Sequence, residues 1–293
     1  MATPRQVATL AVVVAAGVAL GIGIDVIRVG GIDTWLDRHR PPVVYERLGR
    51  RVDIGGRALY LDCRGQGSPT VVLESGMGDG AGGWGSVLDA SATTTRTCAY
   101  DRAGRGSSDP RGRHTATDAA ADLRALLAAA GERPPFIVVG HSLGEAYARV
   151  FASRYRTEMR GIVMVDGFSP DLQVDAIEPL LGALRPEYQA SLQSLRDLVA
   201  RVEDLDWATS EAQLRAADVS GLPLEVLRAP REEPRLDEAA NRAIAAAWQD
   251  AYGSLSPGRL RYEIAWGAGH IIQADRPDLV IAAIDRSVRA ARD

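Results

Sequence analysis

The sequence predicts an α/β fold in which a mostly parallel sheet carries helices on both faces. Two observations lead to it: short, continuously apolar runs closed by glycine, and helical stretches that alternate with these runs from Val52 onward. Strands of a parallel sheet are buried on both faces and are therefore apolar along their whole length. The chain of 293 residues is long enough for one large domain of this kind with a short appendage.

The composition is that of a globular protein, with 46% apolar and 25% charged residues. The net charge is −4 and the isoelectric point is near 5.7. A nucleic-acid partner is not expected, because phosphate binding needs a basic excess or a basic face. The sequence has no H-E-x-x-H motif and no clustered Cys/His set, so we expect neither a metal site nor another cofactor.

The first 30 residues differ from the rest of the chain, and we expect them to form a membrane anchor. Gln6 to Ile24 is a run of 19 residues without a charge, which as a helix roughly spans the ~30 Å hydrocarbon core of a bilayer. A cleaved signal peptide and a soluble segment are the alternatives. Residues 31–51 contain Arg, Asp, Gly and an RPP run, and are expected to link the anchor to a domain over residues 52–293.

Seven strands and several helices can be placed along this domain. The apolar runs predict strands at residues 57–63, 70–76, 95–101, 135–140, 161–167, 223–229 and 260–267. A helix is expected over 117–131, with Thr117 as its N-cap and Gly131 closing it. Another helix follows 135–140 directly, and a last one covers 276–291 with a proline at its start.

The alternation of strands and helices stops between Gly167 and Ser220. This stretch has a helical pattern and separates the strand that ends near Asp166 from the next strand at Pro223. Its position favours a helical cap, over about residues 167–220, that covers a binding site. An ordinary surface insertion is the alternative.

Ser142 is the candidate nucleophile. It lies in GHSLG (residues 140–144), between an apolar strand and a helix-forming run. A serine hydroxyl is a poor nucleophile at neutral pH, and it needs a base, a group that orients the base and donors for the oxyanion. A strand–turn–helix with a glycine on each side projects the hydroxyl and brings helix N-terminal amides close to it. A purely structural serine in a turn is the alternative.

His270 is the candidate base among the four histidines. It falls after the last strand and before the last helix, which puts it at the same sheet edge as Ser142. His39 lies in the linker. His114 lies in a polar loop, where we expect it to be solvated. The side chain of His141, next to the nucleophile in sequence, should point away from the hydroxyl and pack.

Four motifs in serial order resemble those of the α/β-hydrolase superfamily. VVLESGMGDGAGGW resembles the strand and loop of the oxyanion hole, YDRAGRGSSDP the D-x-x-G-x-G-x-S segment, GHSLG the nucleophile elbow and GAGHIIQADRPDLV the histidine loop. The resemblance extends from Val52 to the C-terminus and implies an eight-stranded sheet, with Ser142 as nucleophile and His270 as base. It also implies an oxyanion hole built from the main-chain N–H groups of Met77 and Leu143.

The acid of the triad is open between two positions. Most of the superfamily places it after the strand that here is 223–229, where the loop offers Glu232, Glu233 and Asp237 without the usual Gly-x-x-Asp. Some members place it one strand earlier, where this chain has Asp166 at the carboxyl end of a predicted parallel strand. We predict Asp166, with Glu232 or Glu233 as the alternative. The alternative for Asp166 is a purely structural role, in a turn or as a helix cap.

The predicted function is hydrolysis of an ester or related acyl bond in a small, apolar substrate, through an acyl-enzyme. GHSLGE is also typical of malonyl-type acyltransferases, which carry GQGSQ upstream, and this chain has GQGS at residues 65–68. That run here precedes a strand instead of following one, and Glu145 is explained as an acid in the first turn of a helix. A non-catalytic binding module on the same fold is the other alternative.

Two cysteines give information on the cellular compartment of the domain. The superfamily's strand order makes Cys63 and Cys98 neighbours in the sheet, so they could form a disulfide, which would favour an oxidising compartment. Two buried thiols are the alternative. Only Arg5 precedes the apolar run while several arginines follow it, which indicates the opposite, cytoplasmic side. We favour a membrane-anchored enzyme whose catalytic domain is extracytoplasmic.

Overall fold

The computed structural model describes residues 46–293. The predicted anchor at residues 1–30, most of the predicted linker and His39 lie outside the described residues. Between residues 46 and 293, no helix is both long enough and apolar enough to cross a membrane.

An eight-stranded sheet forms the centre of the domain. In chain order the strands are β1 (Arg50–Asp53), β2 (Ala58–Arg64), β3 (Thr70–Glu74), β4 (Thr97–Tyr100), β5 (Phe136–His141), β6 (Met159–Val165), β7 (Leu224–Arg228) and β8 (Leu260–Ile264). Their order across the sheet is β1-β2-β4-β3-β5-β6-β7-β8. The β1–β2 and β2–β4 pairs are antiparallel and the other pairs are parallel, so the predicted mostly parallel, eight-stranded sheet is confirmed.

The buried strands follow the apolar runs that predicted them. Every residue of β3, β4 and β5 is buried, as expected for strands covered on both faces. One strand was not located from the sequence. Only Val52 of the four residues of β1 is buried, so this edge strand has no apolar run to mark it, and the sheet begins two residues before the predicted domain boundary.

Helices cover both faces of the sheet. The longer ones are α1 (Gly85–Ser91), α2 (Ala116–Ala130), α3 (Leu143–Arg154), α4 (Arg185–Glu203), α5 (Trp207–Arg215), α6 (Glu238–Leu255) and α7 (Pro277–Arg292). One apolar core contains residues of α2, α3 and α6, and the other contains residues of α1 and α7 on the opposite face. The last helix begins at a proline, as predicted.

Two details of the helices differ from the sequence-based expectation. The N-cap of α2 is Thr115, not Thr117, because Thr115 forms a reciprocal capping box with Asp118. Helix α6 was not predicted from the sequence, and only Trp248, Ala251 and Tyr252 of its 18 residues are buried.

The segment between β6 and β7, here called the insertion (residues 167–220), is helical. It contains α4, α5 and shorter helical turns at Pro170–Leu172, Gln173–Ile177, Glu178–Leu180 and Gly182–Leu184. Its Glu203 side chain accepts a hydrogen bond from the Gly78 amide, on the loop after β3. The insertion therefore contacts the sheet edge at which the parallel strands end.

Cys63 and Cys98 form a disulfide and are paired directly across β2 and β4. Thiol titration of the denatured, unreduced protein should therefore find no free thiol, and reduction should release two. Because the bond closes a segment with a sequence separation of 35 residues, protein kept reduced should unfold with a free energy lower by about 4 kcal/mol. Two thiols titrating before reduction would contradict this pairing.

Candidate active site

Ser142 occupies the sharp turn between β5 and α3. Its backbone has φ 52° and ψ −122°, a conformation that residues other than glycine rarely adopt and that is typical of strained functional turns. The Ser142 N–H donates to Val165 O at 3.1 Å, and Ser142 O accepts from Phe168 N at 2.9 Å. The neighbouring strand β6 and the residues after it therefore hold the turn in place.

Two glycines permit this turn because the backbone passes too closely for a side chain. A Cβ atom on Gly140 would lie 2.6 Å from Gly144 O, and one on Gly144 would lie 2.3 Å from Glu74 O. Both distances are below any normal carbon–oxygen contact, so each glycine is required by packing as well as by the motif.

The structure brings the predicted nucleophile, base and acid into one hydrogen-bonded chain. His270 Nε2 lies 3.0 Å from Ser142 Oγ, and His270 Nδ1 lies 2.6 Å from Asp166 Oδ2. Because an ionised carboxylate can only accept, Nδ1 carries the proton, which leaves Nε2 free to accept from the serine hydroxyl. This is the tautomer in which an imidazole can act as a general base toward a serine.

Asp166 is completely buried just beyond the end of β6, with φ 42°. Its Oδ1 accepts from Ala229 N at 3.1 Å, and its Oδ2 accepts from Arg231 as well as from His270. Burial alone would raise the pKa of the Asp166 carboxyl, but Arg231, His270 and Arg228 hold it well below its usual range. The carboxyl is therefore ionised at neutral pH and can orient the imidazole.

The alternative acids lie elsewhere. Glu232 is exposed, the Glu233 side chain accepts from Arg235 Nε at 2.6 Å, and Asp237 caps α6 by accepting from Ala240 N at 2.8 Å. Arg228, the last residue of β7, and Arg231, in the loop after it, are the charged partners of Asp166, and neither was predicted from the sequence. An arginine at the end of a strand and another in a loop carry no motif, so nothing in the sequence pointed to this role.

We expect Arg231→Gln to destabilise the protein in a pH-dependent manner. A carboxyl whose pKa is lowered by folding stabilises the folded state above the pKa of the unfolded chain, about 4, and this stabilisation is lost as the pH falls through the folded pKa. Removing the charged partner of the buried Asp166 should lower the free energy of unfolding by about 3 kcal/mol at pH 7. The difference should shrink steadily below about pH 4.

Denaturant unfolding at pH 7 and pH 3 measures this difference. Arg235→Gln is the matched control, because Arg235 is exposed and its ion pairs with Glu233 and Glu187 should contribute about 0.5 kcal/mol or less each. An equal loss of stability at both pH values would contradict the assignment of Arg231 to Asp166.

His141 packs against the His270 ring, with the ring centroids 4.9 Å apart, and forms no hydrogen bond with Ser142 Oγ, as expected. Its Nε2 lies 3.0 Å from His270 O, and because a carbonyl only accepts, Nε2 carries the proton. Burial and the neighbouring His270 lower the pKa of His141 to about 3, so the ring is neutral and supports the histidine loop by a hydrogen bond.

His114 was expected to be solvated, and this expectation is wrong. Its side chain is buried, with Nδ1 3.0 Å from Gly112 O. The reason is tertiary pairing: His114 N donates to Asp204 O, and Asp206 N donates to His114 O. The loop before α2 is therefore covered by the insertion.

The two predicted oxyanion donors lie on segments that meet at the turn. Leu143 is the first residue of α3, so its N–H has no partner within the helix. Met77 lies in the loop after β3, and the preceding Gly76 packs so closely that an added Cβ would be 3.4 Å from Ser142 Cβ. This loop therefore runs directly beside Ser142.

Glu145, taken from the sequence as a first-turn acid, is fully buried. It accepts hydrogen bonds from Ser169 Oγ and from Tyr252 OH, the latter at 2.9 Å. Its side chain thereby connects the nucleophile helix to the insertion and to α6. This structural role explains the glutamate in GHSLGE, so the residue does not require a relation to acyltransferases.

Among residues 46–293, one group of potential metal ligands comes together: Cys63, Cys98 and Glu132. The two sulfur atoms are bonded to each other, so neither is available as a thiolate ligand. This group lies within the β2–β4 pair and takes no part in the arrangement around Ser142.

Comparison with known proteins agrees with the geometry. The sequence profile of the alpha/beta hydrolase family matches residues 71–283. The chain is 25% identical to the uncharacterised protein YqjL of Bacillus subtilis over 79% of this chain and 88% of that protein. It is 30% identical to the 2-(acetamidomethylene)succinate hydrolase of Mesorhizobium japonicum over 52% of this chain and 53% of that protein.

A solved structure shares the fold. The thermophilic esterase of Thermogutta terrifontis superposes with a TM-score of 0.55 at 17% identity, over 84% of this chain and 99% of the esterase chain. The family profile covers the loop of Met77, the turn at Ser142 and the loop of His270, which are the segments that meet in the structure. The chain therefore belongs to the alpha/beta hydrolase family.

Proposed function

We propose that the protein is a serine hydrolase that cleaves a carboxylic ester of a small, apolar acyl substrate. The observation that carries the proposal is the chain of hydrogen bonds from Ser142 Oγ to His270 Nε2, at 3.0 Å, and from His270 Nδ1 to Asp166 Oδ2, at 2.6 Å. A buried, ionised carboxylate, a correctly protonated imidazole and a serine on a strained turn are the parts that acyl transfer needs.

In the proposed reaction Ser142 Oγ attacks the acyl carbon while His270 Nε2 takes the hydroxyl proton. The carbonyl oxygen becomes an oxyanion, which accepts hydrogen bonds from the Leu143 and Met77 N–H groups. Collapse of the tetrahedral intermediate breaks the ester bond, and the leaving alcohol takes the proton from His270. In the second half of the reaction His270 takes a proton from water, which attacks the acyl-enzyme. The carboxylic acid is released and Ser142 regains its proton from His270. No cofactor takes part.

We propose carboxylic esters as the substrate class, ahead of amides, lactones, thioesters and compounds cleaved at a C–C bond. Met77, the predicted oxyanion donor, and Phe168, whose N–H donates to Ser142 O, have apolar side chains, which favours an apolar acyl group. In this proposal the insertion covers the site and selects the substrate. The 30% identity to a hydrolase of an acetamido compound supports acyl-bond hydrolysis as the class.

Hydrolysis of p-nitrophenyl esters by the full chain tests the proposed reaction. A series of acyl lengths should show saturable turnover with a clear optimum, because a covered site accepts a limited range of chain lengths. A folded protein that turns over none of the esters would contradict the proposal and favour a non-catalytic binding module.

We also propose that residues 6–24 anchor the protein in a membrane and that the catalytic domain is extracytoplasmic. The uncharged run supports the anchor, and the Cys63–Cys98 disulfide supports an oxidising compartment. The full chain should stay in the membrane pellet after an alkaline carbonate wash, and protease added to spheroplasts should digest the domain. Recovery in the supernatant would refute the anchor, and protection from the protease would refute the orientation.

A further inference from the structure

Two charged side chains, Arg102 and Glu203, are buried behind the loop that carries Met77, and the triad does not use them. Arg102 is 4% exposed and Glu203 is 2% exposed. Arg102 follows β4, whereas Glu203 is the last residue of α4 in the insertion. Burying charges is costly even when they are paired, so this placement needs a reason beyond stability.

The Arg102 guanidinium binds two consecutive carbonyl groups of the loop. Nη1 donates to Ser75 O at 2.5 Å and to Glu74 Oε1 at 2.7 Å. Nη2 donates to Gly76 O at 2.6 Å and to Glu203 Oε1 at 3.0 Å. The planar fork of an arginine can hold two carbonyls and two carboxylates in one fixed arrangement, which a lysine cannot do.

One of these contacts acts on the peptide unit of the predicted oxyanion donor. Gly76 C=O and Met77 N–H belong to the same planar peptide and point in opposite directions. By holding Gly76 O, Arg102 fixes the direction of the Met77 N–H. A charged donor on the carbonyl also polarises the peptide and strengthens its N–H as a donor.

Glu203 holds the next peptide unit from the other side. Its Oε1 accepts from Gly78 N at 2.6 Å, and Val202 Cγ1 of the same helix would lie 3.5 Å from a Cβ atom on Gly78. Burial alone would raise the pKa of Glu203, but Arg102, the Gly78 amide and Arg105 lower it. Glu203 is therefore a carboxylate at neutral pH, and the two peptide units that flank Met77 are both held.

We propose that Arg102 and Glu203 are positioning residues that aim the Met77 N–H at the oxyanion. The inference rests on the proposed function and deepens it, because the insertion then helps to build the oxyanion hole through Glu203. Neither residue forms a hydrogen bond with Ser142, His270 or Asp166, and in this proposal both act through the backbone of residues 75–78.

The test compares an ester with its thiono analogue, in which sulfur replaces the carbonyl oxygen, in the full chain. Sulfur is larger and accepts hydrogen bonds weakly, so the ratio of oxo to thiono turnover reports on the oxyanion donors. In Arg102→Lys and Glu203→Gln we expect kcat for the oxo ester to fall about tenfold or more, with KM changed by less than about threefold. The oxo-to-thiono ratio should fall by a similar factor.

Two variants serve as controls. Arg149→Lys alters another buried arginine, which pairs with Asp171 at 3.0 and 2.7 Å, and Glu211→Gln alters an ion pair with Arg196 in the insertion. Neither contacts the loop, so both should keep the wild-type ratio even if they lose stability. Partial unfolding would lower both rates equally and leave the ratio unchanged.

The outcomes separate this inference from the proposed function. A lowered ratio in Glu203→Gln, which is nearly isosteric, supports the inference even if Arg102→Lys does not fold. An unchanged ratio in folded Glu203→Gln, with lower oxo turnover or without it, overturns the inference and leaves the proposed function standing. Absence of ester turnover by the wild type overturns both.

Discussion

Ser142→Ala is expected to lower kcat for p-nitrophenyl ester hydrolysis by roughly 10⁴- to 10⁶-fold, because the reaction then has no nucleophile within reach of His270. The change removes one oxygen atom from a turn that backbone contacts to Val165 and Phe168 already hold. The fold should therefore persist, with an unchanged circular dichroism spectrum and a midpoint of thermal unfolding within a few degrees of wild type.

Ser91→Ala is the matched control for this substitution. Ser91 is a fully buried serine, whereas Ser142 is partly exposed, and the Ser91 hydroxyl finds no hydrogen-bond partner in the described part of the chain. This variant should keep full activity. Ser142→Ala protein that retains more than about a hundredth of the wild-type kcat would show that another group performs the attack.

Asp166→Asn is expected to lower kcat by roughly 10⁴-fold at neutral pH. An amide can donate to His270 Nδ1, which favours the tautomer with the proton on Nε2, and that nitrogen can then no longer accept the proton of Ser142. The loss should appear in kcat. Because Arg231 also loses its charged partner, denaturant unfolding should verify that the variant is folded.

The double variant Glu232→Gln/Glu233→Gln tests the other position for the acid. Glu232 is exposed and Glu233 pairs with Arg235, so kcat should stay within about threefold of wild type, as expected for groups that do not touch the reacting atoms. A loss in the double variant that exceeds the loss in Asp166→Asn would move the acid to the loop after β7.

The sequence predicts the centre of this molecule well, because local patterns report it. The buried strands are continuous apolar runs, and the turn at Ser142 carries its own glycines, each with a steric reason in the structure. The topology then brings Ser142, His270 and Asp166 to one sheet edge, since the carboxyl ends of parallel strands meet there.

What the sequence does not predict are pairings between distant charged residues. Arg231 binds Asp166 and Glu203 binds Arg102 across 65 and 101 positions of the chain. An arginine or glutamate in a loop or at a helix end has the same local pattern whether it is solvated or buried against a partner. His114 illustrates the same limit, because its polar neighbourhood in sequence is covered by a segment some 90 residues away.

Labelling of the full chain with a fluorophosphonate, followed by intact-mass and peptide analysis, tests the central claim most directly. Phosphonylation needs a serine that a neighbouring base activates, and it does not depend on the unknown substrate. We predict one adduct per chain, located on Ser142 in the GHSLG segment, and none in Ser142→Ala or in His270→Ala. A folded wild-type protein that stays unlabelled, or that is labelled on another residue, would contradict Ser142 as the activated nucleophile.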